Sequence, residues 1–314
     1  MNYTETLNFI HSFKGNGRRP QLKRMRWLLK QAGNPQMHYP TVHIVGTNGK
    51  GSTTSYLQNI LTKSGYQVGT FTSPYITRFN ERISINGTEI PDKDLINIVE
   101  KARVLLNDLE NNTDLGRPTE FELVTLLMFL YFDLKQVDIA IIEAGIGGQL
   151  DSTNVLSPEL VICTSISFDH TETLGDSLID IARHKAGVMR ENTPILLGRV
   201  SEEVSHLFKQ KSQELQAPIA NIDREIQLLS TDNQTLRVID FCFAPYFNSN
   251  FNSDVGRTSP RSCRVSAIWT EFQAAPLRRL SETTHMCIPF SASKSLRIRP
   301  TKVSRDPTAL TACG

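Results

Sequence analysis

The stretch TVHIVGTNGKGSTTSYLQNILTK, residues 41–63, decides the fold of this chain. Its first five residues form an apolar run typical of a buried strand, and Leu57, Ile60 and Leu61 share one face of a predicted helix over 52–63. The glycine-rich turn 46–52 lies between them. Glycines let consecutive backbone N–H groups turn inward, and a helix N-terminus adds partial positive charge. The stretch therefore predicts a phosphate-binding loop.

The candidate phosphate-binding residues are Thr47, Asn48, Gly49, Lys50, Gly51 and Ser52. Lys50 is placed to reach the terminal phosphates of a nucleotide. The spacing differs from the common GxxxxGK[ST] loop, because Gly46 lies three residues before Gly49 and Gly51 separates Lys50 from the hydroxyl of Ser52. An ordinary P-loop kinase or GTPase is therefore disfavoured, and no guanine-reading NKxD occurs. A chance glycine-rich turn is the alternative, which the strand–loop–helix context opposes.

Short apolar runs alternate with helical patterns on both sides of this stretch. Strands are predicted over 41–45, 68–72, 137–143, 160–165 and 194–197, and helices over 52–63, 92–110, 120–135 and 177–189. This alternation predicts an α/β fold with a parallel sheet flanked by helices. Residues 82–90 differ, because Ile83 and Ile85 alternate with polar residues before Asn86-Gly87, which predicts a β-hairpin.

Polar residues follow several predicted strands at the edge where ligands bind in open α/β sheets. Glu143 ends the strand 137–143 and precedes a glycine-rich turn, so it is a candidate oxygen ligand for Mg²⁺. On position alone, a solvated loop residue is an equal alternative for Glu143. His170 follows the strand 160–165, and a lone histidine is more often structural than a ligand. Ser73 and Lys185 are predicted to converge with Glu143 and His170 on the same rim.

The composition indicates a water-soluble protein of one large domain or two. The chain has 314 residues and a mass of 35.3 kDa, with 39% hydrophobic and 21% charged residues. No run of about eighteen apolar residues occurs, and no basic segment followed by an apolar core opens the chain. We therefore expect a cytoplasmic protein. A net charge of +2 disfavours a nucleic-acid partner, and we expect no membrane partner.

The composition changes after residue 240. Residues 241–314 carry a net charge of +6, ten serines, six prolines and four of the five cysteines, without a sustained period of 2 or 3.6. The cysteine spacings match no zinc or redox motif. We assign 1–240 to one nucleotide-binding domain and leave 241–314 unassigned. A linker, a disordered tail and residues read out of frame all fit this segment, and we favour the last.

Seven motifs occur together and in order. They are GTNGKGS at 46–52, TSPY at 72–75, RFNERI at 78–83, TEFE at 119–122, EAGIGGQLDSTN at 143–154, DH at 169–170 and HKAGV at 184–188. With them the chain resembles the folylpolyglutamate synthase family of Mur-type amide ligases over about 1–200, extending to about 240. RFNERI and TEFE point to the folate branch of that superfamily.

The resemblance implies a P-loop Mur-ligase-type ATPase domain that uses ATP and Mg²⁺. It implies that residues 49–52 hold the ATP phosphates, that Ser73 and Glu143 bind one Mg²⁺, and that His170 helps to bind a second. Lys185 matches the family's carbamylated lysine, with a solvated helix lysine as the alternative. Lys50, Glu143, His170 and Lys185 are therefore the candidate catalytic residues. Tyr75 lies in the loop that the family is thought to use against the pterin.

The implied reaction adds L-glutamate to a reduced folate through an acyl phosphate. The family's second, smaller α/β domain is not visible here, so we expect a truncated member that turns over poorly or not at all. A bifunctional dihydrofolate synthase/folylpolyglutamate synthase and an inactive ATP-binding remnant are the alternatives. We expect a monomer whose partners are ATP, reduced folate and L-glutamate.

Overall fold

The computed structural model describes residues 1–15 and 20–222, and beyond them five short strands. The chain divides into two compact units, Met1–Asp223 and Arg224–Gly314. In the second unit, strands Leu228–Asp232, Thr235–Val238 and Ile268–Trp269 form an antiparallel sheet, and Phe241–Cys242 pairs with Arg264–Val265. The rest of 241–314 lies outside the described residues, so its interpretation stays a prediction.

The first unit is built on an eight-stranded sheet. Its strands are β1 Thr41–Val45, β2 Val68–Phe71, β3 Ile83–Ile85, β4 Thr88–Glu89, β5 Ile139–Glu143, β6 Leu160–Ser165, β7 Ile195–Arg199 and β8 Ile219–Asn221. They lie in the order β4-β3-β2-β5-β1-β6-β7-β8, with all pairs from β2 to β8 parallel. The predicted parallel sheet is confirmed. Its central strands β1 and β5 are buried along their whole length, as their apolar sequences require.

Eight α-helices accompany the sheet in the described part of the chain. They are α1 Tyr3–His11, α2 Leu22–Gln31, α3 Lys50–Lys63, α4 Asp92–Asn112, α5 Glu120–Lys135, α6 Thr171–Leu174, α7 Leu178–Ala186 and α8 Glu202–Glu214. The structure starts α3 two residues earlier than predicted and ends α7 at Ala186, three residues earlier. Gly187 follows because a side chain there would collide with Gln149.

Helices cover both faces of the sheet. Phe132 of α5 packs against Gly69, which pairs with Ala140. Glu143 lies three residues after Ala140 on the same strand, so its side chain points to the opposite face, where Thr54 of α3 contacts it. The right-handed rule for connections between parallel strands predicts the same arrangement of helices. By this rule α3 covers one face of the sheet, and α5, α7 and α8 cover the other.

The TEFE segment begins α5 as a capping box. The Thr119 hydroxyl accepts from the Glu122 N–H at 3.2 Å, and the Glu122 carboxylate accepts from the Thr119 N–H at 2.7 Å. Glu122 also receives the Arg24 guanidinium at 2.6 Å, and both side chains are buried. The motif thus ties α2 to the start of α5, a structural role that the sequence did not indicate.

Asn86 and Gly87 form the predicted hairpin turn, with positive φ at both residues. In the described part of the chain, no helix is long and apolar enough to cross a membrane.

Candidate active site

The site lies where β1, β5 and β6 end side by side. Strand β1 leads into the glycine-rich loop, β5 ends at Glu143, and β6 ends at Ser165. The connection from β1 runs to β2 on one side of β1, whereas the connection from β5 runs to β6 on the other side, so the strand ends leave a crevice at this edge. The fold therefore brings the predicted phosphate loop and the predicted carboxylate to one place.

The end of β6 supports the glycine-rich loop from below. The N–H of Thr47 donates to the Ser165 carbonyl at 2.9 Å, and the N–H of Asn48 donates to the Ser165 hydroxyl at 3.0 Å. The Thr164 hydroxyl donates to the Asn48 carbonyl at 2.7 Å. Gly46 has φ +147°, and a Cβ there would overlap with the Thr164 hydroxyl. These contacts fix the loop's shape, and sequence reasoning missed Thr164 and Ser165.

The N–H groups of residues 49–52 are available to an anionic ligand. Among the described residues, none of these four groups has a hydrogen-bond partner. They belong to the first turn of α3, where the helix leaves its backbone donors unsatisfied. The N–H groups of Thr47 and Asn48 are already used, so a direct phosphate contact from these two residues stays a prediction. Lys50 Nζ donates to the Gly46 carbonyl at 2.9 Å and to the Thr47 carbonyl at 3.3 Å.

Glu143 lies beside this loop in a buried position. Its carboxylate accepts from the Thr54 hydroxyl at 2.8 Å and from the backbone of Ser73. Burial raises the pKa of Glu143, and the Thr54 and Ser73 hydrogen bonds and the charge of Lys50 oppose that rise. Because the pKa stays raised overall, the neighbouring groups do not fully offset the cost of burying the negative charge of Glu143. A divalent cation would supply the missing positive charge.

The donors present fit Mg²⁺ rather than a metal held by the protein alone. In the described residues, no group of three His, Cys, Asp or Glu side chains is close enough to hold a metal ion. Mg²⁺ in phosphate-transfer sites takes one or two protein oxygens and completes its shell with phosphate and water. The Glu143 carboxylate and the Ser73 hydroxyl are oxygen donors of that kind.

Lys185 lies within electrostatic reach of Lys50. Its side chain is buried on α7, and its amine makes no hydrogen bond or ion pair with the described residues. Burial and the charge of Lys50 lower the pKa of Lys185 to about 8. A neutral amine is therefore accessible near physiological pH.

His170 is less closely integrated than the other candidates. Its Nε2 lies 3.6 Å from Asp169 Oδ1, and it is about half exposed. No hydrogen bond or ion pair between described residues joins it to Glu143 or Ser73. The structure places Ser73 and Lys50 near Glu143, Lys185 within electrostatic reach of Lys50 and Asp169, and His170 on the same rim at the start of α6.

Asp151 shapes the turn after β5, a role that sequence reasoning missed. One of its carboxylate oxygens accepts from the N–H groups of Gly145 at 2.9 Å and Ile146 at 3.0 Å. The other accepts from the backbone and hydroxyl of Thr153. The Thr153 hydroxyl also lies 2.9 Å from His43 Nε2. Because this hydroxyl donates its only proton to Asp151, the imidazole nitrogen is the donor to Thr153. Burial lowers the pKa of His43 to about 3, so His43 is neutral.

A cavity of about 640 Å³ opens beside His170, and it does not include Lys50 or Glu143. Its lining residues are Gln149, Thr171, Glu172, Thr173, Leu174, Gly175, Asp176, Asp180, Arg183 and His184.

Charge distribution adds a further signal for an anionic ligand. Between Glu5 and Glu81 the sequence has ten Lys and Arg residues and no Asp or Glu. Lys50 and the whole glycine-rich loop lie in this segment. A parallel α/β sheet with such a loop, a nearby lysine and a buried carboxylate at the carboxyl edge defines a P-loop nucleotide-binding domain.

Comparison with known proteins identifies the family. The Mur ligase middle domain matches residues 44–228, and the chain belongs to this family. The folylpolyglutamate synthase of Lacticaseibacillus casei is 40% identical over 228 residues, which are 73% of this chain and 53% of that protein. The dihydrofolate synthase/folylpolyglutamate synthase of Bacillus subtilis is 40% identical over 221 residues, 70% of this chain and 51% of its own length. The chain thus spans about half the length of these relatives.

Solved structures show the same fold. The apo form of the L. casei folylpolyglutamate synthase matches with a TM-score of 0.71 and 38% identity, covering 76% of this chain and 58% of that one. The folylpolyglutamate synthase of Mycobacterium tuberculosis, complexed with ADP and AMPPCP, matches with a TM-score of 0.69 and 29% identity over 76% and 55%. The resemblance to this branch of the Mur ligases and the predicted fold class are confirmed.

Proposed function

We propose that this chain is the ATP-binding part of a folylpolyglutamate synthase, an ADP-forming tetrahydrofolate:L-glutamate ligase. The observation that carries the proposal is the position of Lys50 and Glu143 beside four N–H groups at the start of α3 that have no hydrogen-bond partner among the described residues. The relatives of that name, at 40% identity, support it. We assign this role to the domain 1–240.

The proposed reaction has two steps. The terminal carboxylate of the folate's glutamate attacks the γ-phosphorus of ATP, which breaks the bond to the β-phosphate oxygen and releases ADP. The amine of L-glutamate then attacks the acyl phosphate, and an amide forms as inorganic phosphate leaves with its electron pair. The amine's surplus proton passes to solvent. Both steps depend more on placement and charge neutralisation than on a proton-transfer residue.

The protein's own groups would perform that placement. The N–H groups of residues 49–52 bind the phosphates, and Lys50 exchanges its bonds to the Gly46 and Thr47 carbonyls for bonds to the phosphate oxygens. Thr54 keeps the Glu143 carboxylate oriented toward the loop. Mg²⁺, when bound, neutralises charge on the transferring phosphoryl group. Ser73 and Glu143 would hold one such ion and His170 would help to hold a second.

Lys185 is proposed to act as its carbamate. A carbamate forms when a neutral amine adds to carbon dioxide and its surplus proton passes to solvent, and the lowered pKa of Lys185 provides that neutral amine. The resulting anion would lie close to Lys50 and would stabilise its ammonium group. It would also offer an oxygen ligand to a cation in the same crevice.

Calorimetry with the full 314-residue protein tests the nucleotide site. We expect AMPPCP, an ATP analogue, to bind in a magnesium-dependent manner, and Lys50→Ala to abolish this binding. Lys63→Ala is the matched control, because Lys63 is an exposed lysine at the other end of α3. Equal binding by the wild type and Lys50→Ala would refute the assignment of the loop.

Product analysis separates the folate reactions. ATP-dependent addition of glutamate to a reduced folate is the activity proposed here. The name of the B. subtilis relative favours a second candidate, a bifunctional enzyme that would also convert dihydropteroate and glutamate to dihydrofolate. Nucleotide binding without phosphate release would instead identify an inactive ATP-binding remnant.

The proposed partners are ATP, reduced folate and L-glutamate, and we propose a monomer that acts in the cytoplasm, where these metabolites occur. Size-exclusion chromatography with light scattering tests the oligomeric state. A mass near twice 35.3 kDa would contradict the monomer.

A further inference from the structure

The loop 72–82, which we call the Ser73 loop, connects β2 to the hairpin strand β3. At its neck the N–H of Thr72 donates to the Arg82 carbonyl at 3.0 Å. Next along the loop, the backbone of Ser73 hydrogen-bonds to the Glu143 carboxylate. The position of Ser73 beside Glu143 therefore depends on how the rest of this loop is held.

The second half of the loop is anchored to the body of the domain. Asn80 is buried, accepts from the Tyr3 hydroxyl at 2.7 Å and donates to Asp92 at 2.9 Å. Arg78 forms ion pairs with Glu89 at 2.7 Å and with Asp92 at 2.6 Å. These contacts fix residues 78–82 but do not reach the first half of the loop.

Residues 76 and 77 lack packing of that kind. The Tyr75 ring packs against Phe79 and the Arg82 guanidinium, but the side chain of Ile76 is 92% exposed, so apolar burial does not hold residues 76 and 77. Instead the Glu81 carboxylate accepts from the N–H groups of Ile76 at 2.9 Å, Thr77 at 3.1 Å and Arg78 at 3.0 Å. These hydrogen bonds lower the pKa of Glu81, so the carboxylate is ionised at neutral pH.

We propose that Glu81 is a positioning residue for the magnesium–nucleotide site. Its carboxylate closes the outer half of the Ser73 loop onto the anchored half and thereby keeps Ser73 beside Glu143. Hydrogen bonds to an ionised acceptor are about twice as strong as neutral ones, which suits one side chain holding three backbone donors. The role rests on the proposed function, because Ser73 is proposed there as a magnesium ligand.

Three variants of the full-length protein test this role. Glu81→Gln keeps the size of the side chain but removes its charge and places an amide NH₂ against the backbone donors. Glu81→Asp keeps the charge on a shorter side chain and serves as the conservative variant. Glu100→Gln is the matched control, because Glu100 is a partly exposed glutamate on α4 whose ion pairs lie outside the loop.

The first measurement is the rate of trypsin cleavage after Arg78, which needs no nucleotide. We expect Glu81→Gln to raise that rate at least roughly fivefold by opening the loop, Glu81→Asp to fall between Glu81→Gln and the wild type, and Glu100→Gln to match the wild type. Cleavage by Glu81→Gln at the wild-type rate would overturn the proposal.

The second measurement is AMPPCP affinity by calorimetry, with and without Mg²⁺. We expect Glu81→Gln to weaken the magnesium-dependent affinity roughly fivefold and to leave the magnesium-free affinity unchanged, with partial recovery in Glu81→Asp. Faster cleavage with unchanged magnesium-dependent affinity would overturn the positioning role. Failure of the wild type to bind AMPPCP would instead overturn the proposed function and, with it, the role of Glu81.

Discussion

Replacing Gly46 by alanine is expected to disturb the loop that we propose for nucleotide binding. Gly46 has φ +147°, which L side chains rarely adopt, and an added Cβ would overlap with the Thr164 hydroxyl and lie 3.2 Å from the Ser165 nitrogen. The backbone strain costs about 1–3 kcal/mol. Crowding a packed site costs about 1–3 kcal/mol more. We therefore expect a loss of about 2–6 kcal/mol from a total unfolding free energy of about 5–15 kcal/mol.

Urea unfolding of the wild type and two alanine variants measures that loss. Gly65→Ala is the matched control, because Gly65 also has a positive φ, +91°, but no atom lies within 4 Å of an added Cβ. The difference between the two variants isolates the steric conflict from the backbone strain. Equal losses for Gly46→Ala and Gly65→Ala would refute the close approach of β6 to the loop.

A double-mutant cycle locates the conflict. Thr164→Ala removes the hydroxyl that an added Cβ would meet, so Gly46→Ala should cost at least about 1 kcal/mol less in that background than in the wild type. Calorimetry on the same proteins should show weaker AMPPCP binding by Gly46→Ala. Additive effects of the two substitutions would contradict a direct contact between them.

Two further predictions concern buried ionisable side chains. Arg24→Met leaves the Glu122 carboxylate buried without its partner and should lower the unfolding free energy by about 3–5 kcal/mol in urea titrations. Arg103→Met, which breaks the exposed Arg103–Glu100 pair, should cost less than about 1 kcal/mol. The folded-state pKa of His43, about 3, lies below its ordinary value of 6.5, so as the pH falls below 6.5 the unfolded chain binds a proton that the native chain does not. Between pH 6.5 and about pH 3, His43 should therefore lower the unfolding free energy by up to about 1.4 kcal/mol for each pH unit. Urea titrations of His43→Gln should show a smaller loss of stability than the wild type as the pH falls through this range.

The sequence by itself determined the class of fold and predicted a phosphate-bearing ligand. Apolar periodicity predicted the order strand–loop–helix, and the glycines of 46–51 predicted the loop. Both signals are local, because periodicity and backbone freedom act over a few residues. The predicted strands 41–45 and 160–165 and the predicted helix 120–135 match the structure at both ends. Glu143 was predicted to be a site residue from its place at the end of a strand, because parallel strands bring their carboxyl ends to one edge of the sheet.

Only the tertiary structure decided how the site is held. Thr54 reaches Glu143 across 89 residues of sequence, and Ser165 supports the phosphate loop across 117. The TEFE and RFNERI segments pointed to the family, but the structure also shows their contacts: Glu122 caps a helix and binds Arg24, and Glu81 accepts from three backbone N–H groups of the Ser73 loop. Such contacts depend on the order and register of the strands. They join residues far apart in the sequence, and no periodic pattern along the chain marks these residues as neighbours.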